Sequence, residues 1–226
     1  MSLDERKAAF HARTGLYRRL GYDRFAAARF VAEAAGPLAG PALDVGTGKG
    51  LLAMALARRG LDVVSVDVEP EGSELASALA REAGLDSRIQ FHLRDARSLP
   101  FGDGSFGCAA MMDVLHHLDD ARPVLEEMAR LVRPDGTIIM ADFTEEGFTL
   151  VASVHRADGY EHVRSESTLE GAREFLASLG WCEQGRKQAH HNSVVWFRRA
   201  MPGRPGAAAG DGVSVRGNHR GSAPSS

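Results

Sequence analysis

The chain has 226 residues, 44% hydrophobic and 25% charged, with a formal net charge of −3, which fits one soluble globular domain with a sizeable core. The slight acidity argues against a nucleic-acid binder, and residues 151–226 carry only ten Lys and Arg against seven Asp and Glu. The first residues lack the apolar core of a secretory leader, no apolar run is long enough to span a bilayer, and Cys108 and Cys182 match no disulfide framework or zinc pattern, so the expected address is the cytosol.

In chain order, residues 4–35 read as one or two helices around a break at Gly21. This arm, taken as residues 1–40, either packs on the body or forms a lid bringing Tyr17, Tyr22 or Phe25 near a ligand. Two Gly-Pro steps, Gly36-Pro37 and Gly40-Pro41, separate it from ALDVGTGKG at 42–50. That stretch is an apolar run carrying one acid, Asp44, followed by Gly46, Gly48 and Gly50; a helical repeat through Leu51, Leu52, Ala55 and Leu56 comes next. Strand, glycine turn and helix open a βαβ unit. The glycines admit positive φ and close approach of a ligand, and the helix start presents N–H groups to polar or anionic atoms.

Strands and helices then alternate. LDVVSVDVEP is β-rich and ends in Asp67, Glu69 and Pro70; GSELASALAREAG is a helix stopped by Gly84; SRIQFHLRDARSLPF gives a short strand and a polar turn. SFGCAAMMDV is a buried strand ending at Asp113, in which Cys108 reads as a small hydrophobe. ARPVLEEMARLVRPDG is an amphipathic helix closed by a Pro-Asp-Gly turn, and TIIMADF is a strand. Five strands with crossover helices imply a parallel sheet covered on both faces. Residues 143–167 are polar with little period, STLEGAREFLASLG is a capped helix, and two strands follow around a turn at His190-His191-Asn192. The domain proper is thus expected over 41–200. Residues 201–226, rich in Gly, Ala, Pro and Ser, read as a disordered tail.

Asp67 lies at a strand end roughly twenty residues past the glycine loop, where an acid accepts ribose hydroxyls from dinucleotides and other adenosine ligands alike. The dinucleotide pattern wants a small residue at the sixth position of G-x-G-x-x-G, and Leu51 is too large for it.

The loop DVGTGKG, the segment RDARSLPFGDGSFGCAAMMDVLHHLDD and ARLVRPDGTIIMADF after it together resemble the class I S-adenosylmethionine (SAM) methyltransferases. The resemblance runs over about residues 42–143 and more weakly to 199, and within the family it is nearest the small-molecule branch. It implies a Rossmann-like α/β fold with a seven-stranded, mostly parallel sheet, helices on both faces and the last strand antiparallel. It also implies SAM as cofactor, with Asp44 and the loop of Gly46, Gly48 and Gly50 at the methionine end, Asp67 and Val68 at the ribose and its surroundings, and Asp95 and Ala96 at the adenine. The chain lacks the Asn-Pro-Pro-aromatic motif of amino-methylating DNA enzymes and the Pro-Cys pair used on C5 of cytosine. The expected partner is a small-molecule acceptor, with no nucleic acid and no membrane; RNA or protein methylation, or SAM binding without catalysis, are the alternatives.

Methyl transfer from a sulfonium is mainly alignment, with a base required only where the acceptor must lose a proton. Asp113, His116 and His117 stand at the carboxyl end of the fourth strand, and His155 joins Asp113 and His116 as a candidate catalytic group. The family's topology would bring His155, His162, His190 and His191 to the same edge, where His162, His190 and His191 are candidates for contact with the acceptor. These histidines could equally share no role, or hold a metal, although no standard zinc spacing is present and no metal is expected.

Overall fold

The computed structural model describes residues 1–157, 159 and 164–200. Its elements run α1 (Leu3–Arg19), α2 (Arg24–Glu33), β1 (Ala42–Val45), α3 (Leu51–Arg58), β2 (Val63–Asp67), α4 (Pro70–Glu82), β3 (Ile89–Leu93), β4 (Phe106–Met112), α5 (Arg122–Leu131), β5 (Val132–Phe143), α6 (Glu145–Ala157), α7 (Leu169–Ser178), β6 (Trp181–Ala189) and β7 (Asn192–Arg199). The seven strands form one sheet in the order β3-β2-β1-β4-β5-β7-β6. β1 to β5 are mutually parallel, and β7 is antiparallel to both β5 and β6. Its parallel part is the sheet that the alternating pattern implied, and the whole is the seven-stranded Rossmann-like sheet that the resemblance implied.

Alternation along the strands splits the core into two layers, because successive side chains point to opposite faces. Ala42, Cys108, Ile139 and Ala141 pack with α2, α3 and α4, whereas Leu43, Ala109, Ile138 and Met140 pack with α5 and α7. Cys108 is fully buried, and burial pushes its thiol up to about 12. Such a thiol behaves as an apolar side chain.

Three local expectations are corrected. Residues 145–157 are a helix, α6, where little period was legible. Its buried positions Gly147, Phe148, Val151 and Val154 make a narrow stripe between polar residues, enough to seat it against the end of β5 and the arm. The Arg133-Pro134-Asp135-Gly136 segment does not close α5 as a turn; it is extended and belongs to β5, with a register shift against β4 between Phe106 and Cys108. The last hairpin turns on two residues, His190 and His191, with Asn192 already in β7. Both histidines have positive φ (51° and 60°), the conformation that two-residue hairpins demand and that Asn-Gly ordinarily supplies.

The arm is two helices, as its break at Gly21 suggested, and it docks on the body. Arg6 pairs with Glu74, Lys7 with Glu82, and Arg59 of the body donates to the carbonyls of Ala32 and Gly36. Tyr17 and Tyr22 pack with Val151 and Val154 of α6. The tail expected over 201–226 lies outside the described residues.

Candidate functional site

Each of the five parallel strands brings one acid to its carboxyl end: Asp95 follows β3, Asp67 ends β2, Asp44 lies one residue inside β1, Asp113 follows β4 and Asp142 lies in β5. Asp44 and Ser65 are register partners on adjacent strands. The Ser65 hydroxyl donates to Asp44 Oδ2 (2.7 Å) and lies 2.6 Å from the Thr47 hydroxyl. The other carboxylate oxygen, Oδ1, is buried without a hydrogen-bond partner among the described residues. Burial, with a smaller contribution from the charge of Asp67 and against the Ser65 hydrogen bond, raises this carboxyl to about 7.

The glycine loop above it needs its glycines for different reasons. A Cβ on Gly46 would collide with Val114 Cγ2, and one on Gly50 would come within 2.9 Å of Ala76 Cβ. At Gly48 the nearest atom would be 4.0 Å away, so this position borders open space, and its φ of 49° favours glycine. The Gly48 N–H donates to Asp67 Oδ2 (2.8 Å) and the Glu69 N–H to Asp67 Oδ1 (2.9 Å), fixing that carboxylate at the loop. Val68 beside it is 63% exposed, a solvent-facing apolar surface at the strand edge. Asp95 is exposed and gripped by Arg97, whose Nε lies 2.9 Å from Oδ2; these hydrogen bonds hold its carboxyl below the usual range. Ala96 is half-buried next to it.

On the other side of the loop, Asp113 adopts positive φ (56°) and turns its carboxyl inward. The Asn192 amide donates to its Oδ1 (2.6 Å) and the Tyr22 hydroxyl to its Oδ2 (3.4 Å). Burial, then the charge of Asp142, raises the Asp113 carboxyl well above the ordinary value, and burial likewise raises the Tyr22 phenol. Asp142 holds His116 twice: Oδ1 lies 2.7 Å from the ring Nδ1, and Oδ2 accepts the backbone N–H (3.1 Å). His116 is 2% exposed, on a 3₁₀ turn, Leu115–His117, with its ring against Phe143 and Phe148. Phe143 also packs on Tyr22, so one ring links the Asp113 and Asp142 groups. A cavity of about 440 Å³ lined by His116, His117, Asp119, Arg164, Ser165 and Glu166 adjoins them.

The expected histidines divide between two places. His155 is half-buried on α6 and within electrostatic reach of His117. Burial of the His117 ring and the charge of His116 lower its imidazole, Asp142 opposes this, and His155 adds to the lowering. His191 packs edge-on against Tyr22 (5.8 Å between centroids), on the Asp113 side. His190 is exposed and faces Phe30 of α2. His162 lies outside the described residues. Among those described, no group of three or more His, Cys, Asp or Glu could hold a metal ion. Asp142 and Asn192 are site residues that sequence reasoning passed over. An acid near the carboxyl end of a strand was the available signal for Asp142; Asn192 offered none, because hairpin register alone aims it.

Residues 43–140 match the family described as methyltransferase domain. The chain is similar to the uncharacterized methyltransferase YcgJ of Bacillus subtilis (strain 168), 33% identical over 140 residues that cover 60% of this chain and 55% of that protein. It is 39% identical over 129 residues to methyltransferase GfsG of Streptomyces halstedii, covering 57% of this chain and 46% of the relative. The ubiquinone biosynthesis O-methyltransferase of Escherichia coli O127:H6 is 28% identical over 183 residues, covering 79% of this chain and 72% of that one. The match thus spans about half the length of the first two relatives. The crystal structure of Bacillus YcgJ superposes with a TM-score of 0.60 at 21% identity, over 77% of this chain and 98% of that one, which shows the shared fold. Among the described residues no helix is long and apolar enough to cross a membrane.

Proposed function

We propose that the chain is a class I SAM-dependent methyltransferase that binds SAM against Asp44, the glycine loop, Asp67 and Asp95 and methylates a small-molecule acceptor in the cytosol. The observation that carries the reading is the buried Asp44 Oδ1 with no partner, beneath a loop whose Gly48 borders open space. A buried acceptor oxygen without a donor is costly, and a ligand bearing an ammonium beside a sulfonium relieves that cost. The donor set fits the rest of the cofactor. Asp67, already oriented by two backbone N–H groups, would take the ribose hydroxyls; Val68 and Ala96 would flank the adenine, and Asp95 would accept from its amino group. The small-molecule acceptor is supported by the ubiquinone-pathway enzyme among the relatives.

When bound, SAM supplies a methyl group already activated on sulfur, so transfer is direct and in line, with no covalent enzyme intermediate. The chain's work on the acceptor side is to position it and to take a proton where one must leave. Asp142 Oδ1 receives Nδ1–H of His116, which leaves the Nε2 lone pair as the proton acceptor. Asp142 is the positioning residue of this pair. Asp113 and Tyr22 beside it would contact the acceptor as hydrogen-bonding groups, with His155 and His191 on either flank and His162 and His190 as further acceptor contacts. The arm over 1–40 then serves as a lid to the domain over 41–200.

Calorimetry tests the cofactor half: SAM and S-adenosylhomocysteine (SAH) bind, NAD and NADP do not, and Asp67→Ala weakens SAH by roughly 1.5–3 kcal/mol, the range for hydrogen bonds to a charged group. Full SAH affinity in that variant refutes the ribose assignment. Mass spectrometry of cell extract incubated with the protein and methyl-labelled SAM finds the acceptor. Binding of SAH with no labelled product would leave a SAM-binding protein without catalysis.

A further inference from the structure

A second cavity, of about 530 Å³, lies at the opposite edge of the sheet from the glycine loop, beside the amino ends of the parallel strands. Its volume is that of a small-molecule site. Val132 at the start of β5, Leu179 just after α7 and Trp181 at the start of β6 give it apolar walls. Trp181 is fully buried, and its indole Nε1 has no hydrogen-bond partner among the described residues. An indole nitrogen can only donate, and a buried donor without an acceptor is costly. This wall therefore favours a ligand that brings an acceptor.

The charged groups around the cavity divide by side. Arg130 and Asp103 are engaged with each other (2.6 Å), and Arg130 also holds Glu127 and the carbonyls of Leu99 and Phe101. Arg199 and Glu126 also line the cavity, and among the described residues neither side chain makes a hydrogen bond or an ion pair. Arg199 is the register partner of Trp181 across the last hairpin, so the two side chains stand on one face of the sheet. The hairpin side thus offers N–H donors and a positive charge. Glu126 belongs to α5, whose last turn, with the end of α7, reaches the cavity. Helix carboxyl ends carry partial negative charge and, with Glu126, make this side favourable to a cation. We propose that the cavity is a second ligand site, for a small zwitterion with an apolar body, of the kind an apolar amino acid presents. Its carboxylate meets Trp181 Nε1 and Arg199, and its ammonium meets Glu126. The site is separate from the methyl-transfer edge and does not depend on that reading.

Proton–nitrogen correlation spectra of the full chain test this, because it has two indole N–H groups, those of Trp181 and Trp196. Trp181→Phe assigns the first and keeps a ring in the core. Three probes share one apolar body: L-phenylalanine, hydrocinnamate without the ammonium, and phenethylamine without the carboxylate. Phenylalanine should move the Trp181 resonance and leave that of Trp196 in place. Phenethylamine, which gives up both Trp181 and Arg199, should bind roughly tenfold more weakly. Hydrocinnamate, which gives up only the exposed Glu126, should bind about threefold more weakly. Arg199→Met should weaken phenylalanine and not phenethylamine; Glu126→Gln should weaken phenylalanine and not hydrocinnamate. Both substitutions fall on exposed positions and spare the fold. A Trp181 resonance that stays still at millimolar phenylalanine would overturn the proposal, the cavity then holding only water. Equal binding of all three probes would overturn it as well, by showing an unselective apolar void. So would variants that weaken every probe alike, since the two charges would then serve the shape of the cavity and no ligand.

Discussion

Asp44 and Asp113 stand on adjacent strands at the same edge of the sheet, and both carboxyls are held above the usual range by burial. Their surroundings differ. Asp44 receives one hydrogen bond, from the neighbouring strand, and keeps an oxygen open under a glycine loop. Asp113 has both oxygens engaged, by a tyrosine from the arm and an asparagine from the last hairpin. The loop side is made of backbone and leaves polar capacity for a ligand; the arm side is made of side chains that satisfy one another. A ligand arriving on the loop side completes the protein's hydrogen bonding, while one arriving on the arm side must compete with it.

The largest expected effect is on the arm side. With the acceptor identified, His116→Ala should lower turnover by roughly 10²–10⁴-fold, the usual contribution of a positioned base, while SAH affinity stays near wild type. Asp142→Asn should cut turnover with the same sparing of SAH affinity, by releasing the ring. Loss of SAH affinity in step with turnover would show that the two sides are not separable.

On the loop side, the strongest signature is pH dependence. The Asp44 carboxyl is raised from 3.8 to about 7, so its contribution to stability is fully present below about pH 4 and is lost as pH rises through 7. Chemical denaturation of the ligand-free protein should show this loss, up to about 4 kcal/mol, and Asp44→Asn should abolish it. A variant with the same pH profile as wild type would remove the claim of a ligand-starved acid.

Two glycine substitutions then separate fold from ligand. Gly46→Ala drives a methyl into Val114 at positive φ and should cost roughly 3 kcal/mol in a urea melt. Gly48→Val, bordering open space, should spare most of that stability yet abolish SAH binding, because the side chain fills the ligand's approach. Equal destabilisation by both would show that Gly48 serves packing. The smallest effect is expected from cutting the chain after Ala200: melting temperature and SAH affinity should not change, since residues 201–226 offer few apolar groups to pack.

Legibility follows the same division. The loop and Asp67 were readable because strand alternation, glycine turns and an acid at a strand end are patterns within a few dozen consecutive residues; Asp95 came only from the family resemblance. α6 was missed because a four-residue apolar stripe among Glu145, Glu146, His155 and Arg156 carries little period until the arm and β5 cover it. The pairing of His116 with Asp142 joins residues 26 apart, Asn192 with Asp113 residues 79 apart, and Tyr22 with Asp113 residues 91 apart. No local pattern encodes such partners. Hairpin register and the docking of the arm select them.

By itself, then, the sequence determined the alternation of the five parallel strands with their crossover helices, the two-faced sheet and the glycine loop, since hydrophobic period and glycine conformational freedom act over short range. Tertiary structure alone decided the upward shift of the Asp44 and Asp113 carboxyls and the pairing of His116 with Asp142. Those properties depend on which groups exclude water and which polar atoms meet, and only the packed chain brings distant segments close enough to settle both.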